Sequence, residues 1–255
     1  MLLAVDTGNT HTVLGLFDGD ELKADWRVAT RKDATYDEVG VLIRALFEQA
    51  GLDAAGVDGM IVSSVVPDLN RQLAAVGRSC FGVEPLFVEP GVKTGLPILY
   101  ENPHEVGADR IVNAVAAVHR YGAPVIVLDF GTATTFDVVS ARGEYLGGVI
   151  APGLGISAEA LFERAARLSR VDVRKPARVI GRTTQESIQA GLFHGYVGLV
   201  EGLVRRLRAE LGAEAPVVAT GGLAPVFQDE LGFLRAVDPG LTLEGLRLIW
   251  EKNRR

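Results

Sequence analysis

A short apolar run that ends on Asp-x-Gly and is followed by two more strand-like runs occurs twice in the chain, and this repetition restricts the fold more than any other feature. Residues 2–5 are apolar and lead into Asp6-Thr7-Gly8-Asn9-Thr10. Residues 12–17 resume as a strand before the turn Asp18-Gly19-Asp20, and residues 22–29 supply a third strand. In the second half, residues 125–128 lead into Asp129-Phe130-Gly131-Thr132-Ala133-Thr134, then a strand over 135–140, a turn over 141–144 and a third strand over 145–150. Aligned on the two aspartates, Gly8 matches Gly131, with about one residue of slip at the turn. The repeat is architectural rather than a solenoid period. It predicts two duplicated α/β halves with a cleft between them.

Between the repeats the spacing predicts a helix over 36–50, a buried strand over 59–65, a helix over 67–80, a strand over 84–88 and a helix over 108–119. After them come a helix near 157–167, an Arg- and Pro-containing connector over 169–182, a long helix over 183–211, a short strand over 216–220 and a last helix over 241–252. The boundary between halves is placed at 118/119, giving domains 1–118 and 119–255.

At 255 residues, 48% hydrophobic and 23% charged, the chain is long enough to bury two cores. Its formal charge of -6 disfavours nucleic acid and anionic membrane as partners, since both require clustered Lys and Arg. Cys80 stands alone, which excludes an intrachain disulfide or Cys zinc site and points to a cytoplasmic home. The opening residues carry no basic region before Asp6, and no apolar run reaches the roughly 18 residues of a membrane span, so a soluble chain is expected. His104, His119 and His194 show no metal-ligand spacing.

An Asp at the end of a buried strand, followed by Gly and small hydroxyl residues, leaves main-chain N–H groups and hydroxyls available to phosphate oxygens, while the carboxylate can hold a cation. One such turn alone reads better as an ordinary Asx-turn; two at the heads of two repeats reverse that and favour phosphate. Neither is a Walker motif or a Gly-x-Gly-x-x-Gly fingerprint. A third element, Ala219-Thr220-Gly221-Gly222, runs a strand into a paired-glycine turn. Tyr100-Glu101-Asn102-Pro103 precedes Gly107-Ala108-Asp109-Arg110 at a helix start, where a carboxylate is also favoured by the helix dipole and an exposed Arg would be its neighbour.

The order of two Asp turns and a glycine-rich turn resembles the actin, sugar-kinase and heat-shock ATPase superfamily, which implies duplicated actin-like (ribonuclease H-like) domains with a nucleotide cleft. With residues 100–110 added, the chain resembles type III pantothenate kinase from residue 3 to about 223. The resemblance implies ATP phosphates and Mg2+ on Asp6, Thr7, Gly8, Asn9, Thr10, His11, Thr12 and Val13, with Mg2+ at Asp6. It implies Thr132 on the nucleotide, Gly221 and Gly222 near the nucleoside, and Asp129 as ligand of a monovalent cation, K+ or NH4+. Tyr100, Gly107, Ala108, Asp109, Arg110 and Thr184 would contact pantothenate, with Asp109, a carboxylate of ordinary pKa, as catalytic base.

The implied reaction is ATP plus pantothenate giving ADP and 4'-phosphopantothenate, the first step of coenzyme A synthesis. The rivals are another superfamily kinase or phosphatase, or a nucleotide-binding regulator without catalysis. Phe193, Tyr196, Val197, Val200, Leu203 and Val204 recur at helical spacing; this face reads either as core or as a homodimer surface, and the resemblance implies a homodimer.

Overall fold

The computed structural model describes residues 1–164 and 171–254. It divides into two compact units, Met1–His119 with Gly240–Arg255, and Arg120–Pro239.

Unit 1 is built on a sheet of order β3-β2-β1-β4-β5, formed by β1 Leu2–Thr7, β2 His11–Asp18, β3 Glu21–Ala29, β4 Gly59–Ser64 and β5 Leu86–Phe87. The first three strands form an antiparallel meander, and β4 joins β1 in parallel. Strand alternation sends Leu3, Val5, Leu14, Leu16, Met60 and Val62 to one face, where they pack on α1 Tyr36–Gln49 and α2 Pro67–Val76 through Ile43, Phe47, Leu69 and Leu73. Thr35 starts α1 with a capping box: its hydroxyl accepts from Glu38 N while the Glu38 carboxylate accepts from Thr35 N. The helix expected over 67–80 ends early, because Gly77–Phe81 winds into a single π turn closed by left-handed Gly82.

The other face carries α7, Leu241–Asn253, beside α3, Ala108–Tyr121. A Cβ at Gly15 would meet Leu243 of α7, and one at Gly245 of α7 would run into the Val112 main chain of α3. The division at 118/119 had assigned α7 to the second half. It packs instead on β1, β2 and β4 of the first, since its buried Leu243 and Leu246 need that sheet face.

Unit 2 repeats the plan with order β10-β9-β6-β7-β8, from β6 Val125–Phe130, β7 Ala133–Val139, β8 Tyr145–Pro152, β9 Val217–Thr220 and β10 Leu234–Val237. The repeats differ at the hairpin turn, Asp18 pairing with Glu21 but Val139 with Tyr145, and also in the Asp-x-Gly loop, where Thr7 pairs with Thr12 across four residues and Phe130 with Thr134 across three. Helix α4 spans Leu154–Arg164 and α5 Thr184–Leu211; residues 165–167 of the expected helix and 169–170 of the connector lie outside the described residues. Thr183 caps the start of α5 through Glu186 N, and left-handed Gly212 ends it. Phe193, Tyr196, Val200 and Val204 of α5 pack into the core with Phe130 and with Phe227 of the short α6, Ala224–Phe227. The apolar face of this helix is therefore core, not a free surface. Arg120, where the chain enters the unit, forms an ion pair with buried Asp238, which also accepts from the Tyr121 hydroxyl at 2.8 Å.

Candidate active site

The first loop follows from how β1 ends. Its buried run stops at half-buried Asp6, and Gly8 N donates to His11 O at 3.0 Å, closing a turn so tight that a Cβ at Gly8 would lie 3.1 Å from that oxygen. Thr30, just past the end of β3, braces the turn: its N donates to Thr10 O (2.9 Å), its hydroxyl donates to Gly8 O (2.7 Å), and Thr12 Oγ1 shares a hydrogen bond with Thr30 Oγ1 (3.0 Å). Asn9, Thr10 and His11 are exposed, and Lys32 Nζ donates to Asn9 Oδ1 at 3.1 Å. Val13 pairs with Asp6 across the hairpin. Thr7, by contrast, is 1% exposed and turns toward the α1/α2 layer, opposite to Asp6. Any part it takes beside Asp6 falls to its main chain.

The second loop is built alike. Asp129 is half-buried at the end of β6 and aligned with Thr220 of parallel β9. Gly131 N donates to Ala133 O (3.1 Å), and Thr132 is exposed. Gly221 has φ 91°, and a Cβ there would run into Asp129 Oδ1 and the Phe130 main chain, so the paired-glycine turn seats itself directly on Asp129. Gly222 is exposed beside it. Inside the unit, Tyr196 holds the loop from below: its hydroxyl is hydrogen-bonded to Thr134 Oγ1 and donates to Pro152 O at 3.3 Å.

Asp109 occupies the first turn of α3. Its Oδ1 accepts from Arg110 N at 2.8 Å, and a Cβ at Gly107 would come within 2.6 Å of that same oxygen, so the carboxylate folds over a position that only glycine leaves open. Val65, just past β4, flanks Gly107 and donates its N–H to Thr7 O at 3.0 Å. Residues 107–109 thus lie against Val65, just beyond the C-terminal ends of the parallel strands β1 and β4. Burial raises the Asp109 carboxyl above the usual carboxylate range, against lowering by the Arg110 N–H bond and the Arg110 charge. The expectation of an ordinary pKa is corrected by that shielding. Arg110 also differs from the exposed helix-start residue, being only 6% exposed. Ala108 and Tyr100 are half-buried; Asn102, between Tyr100 and Gly107, caps the turn Pro103–Glu105 through His104 N at 3.2 Å.

Thr184 is not gathered with the second loop of its own unit. It is exposed at the first position of α5, twelve residues before Tyr196, which is roughly 18 Å along a helix axis. Sequence reasoning missed Thr30, Lys32 and Tyr196. The hairpin register, His11 opposite Ala29, was the available signal for the first two, since it sets residues 30–32 beside the loop. For Tyr196 there was no local signal.

Chemically, the donors are oxygens, which suit hard cations. No group of three His, Cys, Asp or Glu able to hold a metal occurs among the described residues. Two Asp-headed glycine turns on duplicated five-stranded sheets define an α/β protein of actin-like fold. Solved chains with this fold include the (R)-2-hydroxyglutaryl-CoA dehydratase component A of Acidaminococcus fermentans, 16% identical with a TM-score of 0.55, covering 100% of this chain and 99% of that one.

The family model of type III pantothenate kinase matches residues 2–206. The type III pantothenate kinases of Myxococcus xanthus and Brevibacillus brevis are 56% and 55% identical, each over 99% of this chain and 99% of the relative. The chain belongs to the type III pantothenate kinase family, kinases that phosphorylate pantothenate in coenzyme A biosynthesis.

Proposed function

We propose that this chain transfers the γ-phosphoryl group of ATP to the primary hydroxyl of pantothenate, with Asp109 as the base. The observation that carries the assignment is the Asp109 carboxylate, shielded and folded over Gly107 beside Val65, which follows β4. As the substrate oxygen bonds to phosphorus and the bond to the ADP oxygen breaks, the hydroxyl proton passes to an Asp109 carboxylate oxygen. Tyr100, Gly107, Ala108 and Arg110 position pantothenate, with the Arg110 guanidinium facing its carboxylate or the phosphate. The main chain of residues 6–13 and Thr132 cradle the ATP phosphates, and Gly221 and Gly222 lie along the nucleoside. Asp6 holds Mg2+, which offsets phosphate charge, and Asp129 holds K+ or NH4+. An ADP-release assay should respond to pantothenate and stay at background with glycerol, glucose and acetate; turnover of those controls at the pantothenate rate would overturn the substrate. Equal activity in sodium-only and potassium buffers would remove the monovalent-cation role of Asp129.

A homodimer in the cytoplasm completes the reading. Its support is the position of Thr184, remote from the second loop of its own unit, together with exposed apolar side chains: Ile150 (63%) on edge strand β8, Ile156 on α4 and Ile180 (82%). Thr184 would then serve pantothenate bound near the subunit boundary. No helix among the described residues is long and apolar enough to cross a membrane.

A further inference from the structure

The main chain just past β4 is pinned on both sides. Val65 N donates to Thr7 O at 3.0 Å, while the Ser64 hydroxyl accepts from Val66 N at 3.2 Å and donates to Val66 O at 3.3 Å. The Val65 side chain is half-buried and packs in part on the α1/α2 core. Its Cγ1 lies 3.7 Å from the point where a Cβ on Gly107 would stand, and Asp109 Oδ1 lies 2.6 Å from that same point. A valine methyl and the Asp109 carboxylate therefore converge on one spot, at most about 6 Å apart, with no Gly107 side chain between them.

We infer that Val65 is a specificity-determining residue whose methyls receive the geminal dimethyl group of the alcohol; the inference rests on the reaction proposed above. In pantothenate the reacting hydroxyl sits on a CH2 joined to a quaternary carbon that carries two methyl groups. Hydroxyl oxygen and methyl carbon are then about 3–4 Å apart, by ordinary bond lengths and staggered torsions. With the oxygen about 2.7 Å from Asp109 and a methyl about 4 Å from Val65, one substrate spans two groups that stand at most about 6 Å apart. The pinned main chain keeps Val65 from following a smaller substrate, so an alcohol without the methyls leaves the valine without partner atoms and forfeits the contact. The dimethyl carbon takes no part in the bonds that form and break. Its contact therefore holds ground state and transition state alike, and its loss falls on KM rather than kcat.

The test compares pantothenate with the same amide bearing hydrogens in place of both methyl groups, in the full chain. Wild type should favour pantothenate in kcat/KM by at least about tenfold, as for apolar groups in a fitted pocket. Val65→Ala should raise the KM for pantothenate about tenfold with kcat within about threefold, and move the KM for the bare analogue by less than about twofold. Val65→Thr keeps the shape and adds a hydroxyl; it should narrow the preference in the same direction, and it serves alone if the alanine variant does not melt cooperatively. Calorimetric Kd values for both compounds, taken with a non-hydrolysable ATP analogue, should show the same split. A role in packing alone weakens both compounds alike or neither, and either result overturns the assignment, as does a wild type that does not distinguish them. A chain that phosphorylates pantothenate but fails this comparison defeats the role of Val65 alone. A chain that does not phosphorylate pantothenate defeats the assigned reaction, and this inference with it.

Discussion

A carboxylate that takes a proton from an alcohol must be ionised at the working pH and yet basic, and at Asp109 burial supplies basicity. Asp109→Asn should lower kcat by about 100- to 10,000-fold, with ATP still bound, as for loss of a positioned base. Its effect on stability has the opposite sign. A carboxyl whose folded pKa is raised favours the native state below the unfolded value of about 3.9, and that contribution is lost as pH rises through the folded pKa. The Asn variant should therefore melt no lower than wild type at pH 8, and its relative gain should shrink as the pH falls toward 4. A Tm clearly below wild type at pH 8, with near-normal kcat, would make Asp109 a helix-start residue only. The acid limb of kcat/KM should likewise sit above the ordinary carboxylate range. Gly107→Ala is the geometric counterpart: the new methyl displaces the carboxylate from its place, and kcat should fall roughly 10- to 100-fold while the KM for ATP holds within about twofold. Steady-state kinetics with both substrates varied checks the split.

At the level of elements, local signals read well and packing did not. Asp6 and Asp129 were legible because each closes a short apolar run on a turn residue, a pattern contained within eight residues. Strand β10 and helix α6 are four residues each, too short for either periodicity to register, and were missed. The stripe on α5 was visible, but whether it meets its own unit or another chain depends on Phe130 and Phe227, residues far away in sequence. Phe227 stacks on Phe130 at 5.2 Å and on Phe193 at 5.3 Å, so Phe193→Ala should cost about 3–5 kcal/mol in denaturant unfolding, by removing core rather than an interface. Self-association is expected to depend on the exposed set instead. Ile150→Asp and Ile180→Asp should halve the light-scattering mass at micromolar concentration with the melting transition intact, whereas an unchanged mass would place any interface elsewhere.

For the whole molecule, the repeat announced two halves but concealed where the last helix belongs. Trp250 of α7 covers Gly59 of β4, a contact that spans most of the chain and leaves no local trace. Unit 2 is consequently a single uninterrupted stretch, residues 120–239, whose first residue and next-to-last residue are joined by the Arg120–Asp238 pair. Such a stretch behaves as a cassette with its own clasp. Little chain entropy separates it from the excised state, since its two ends are already held together before any linker closes them. A fragment of residues 120–239 should unfold cooperatively by itself, and within it Asp238→Ala should cost about 2 kcal/mol by unfastening Arg120 and Tyr121 together, both read from urea titrations.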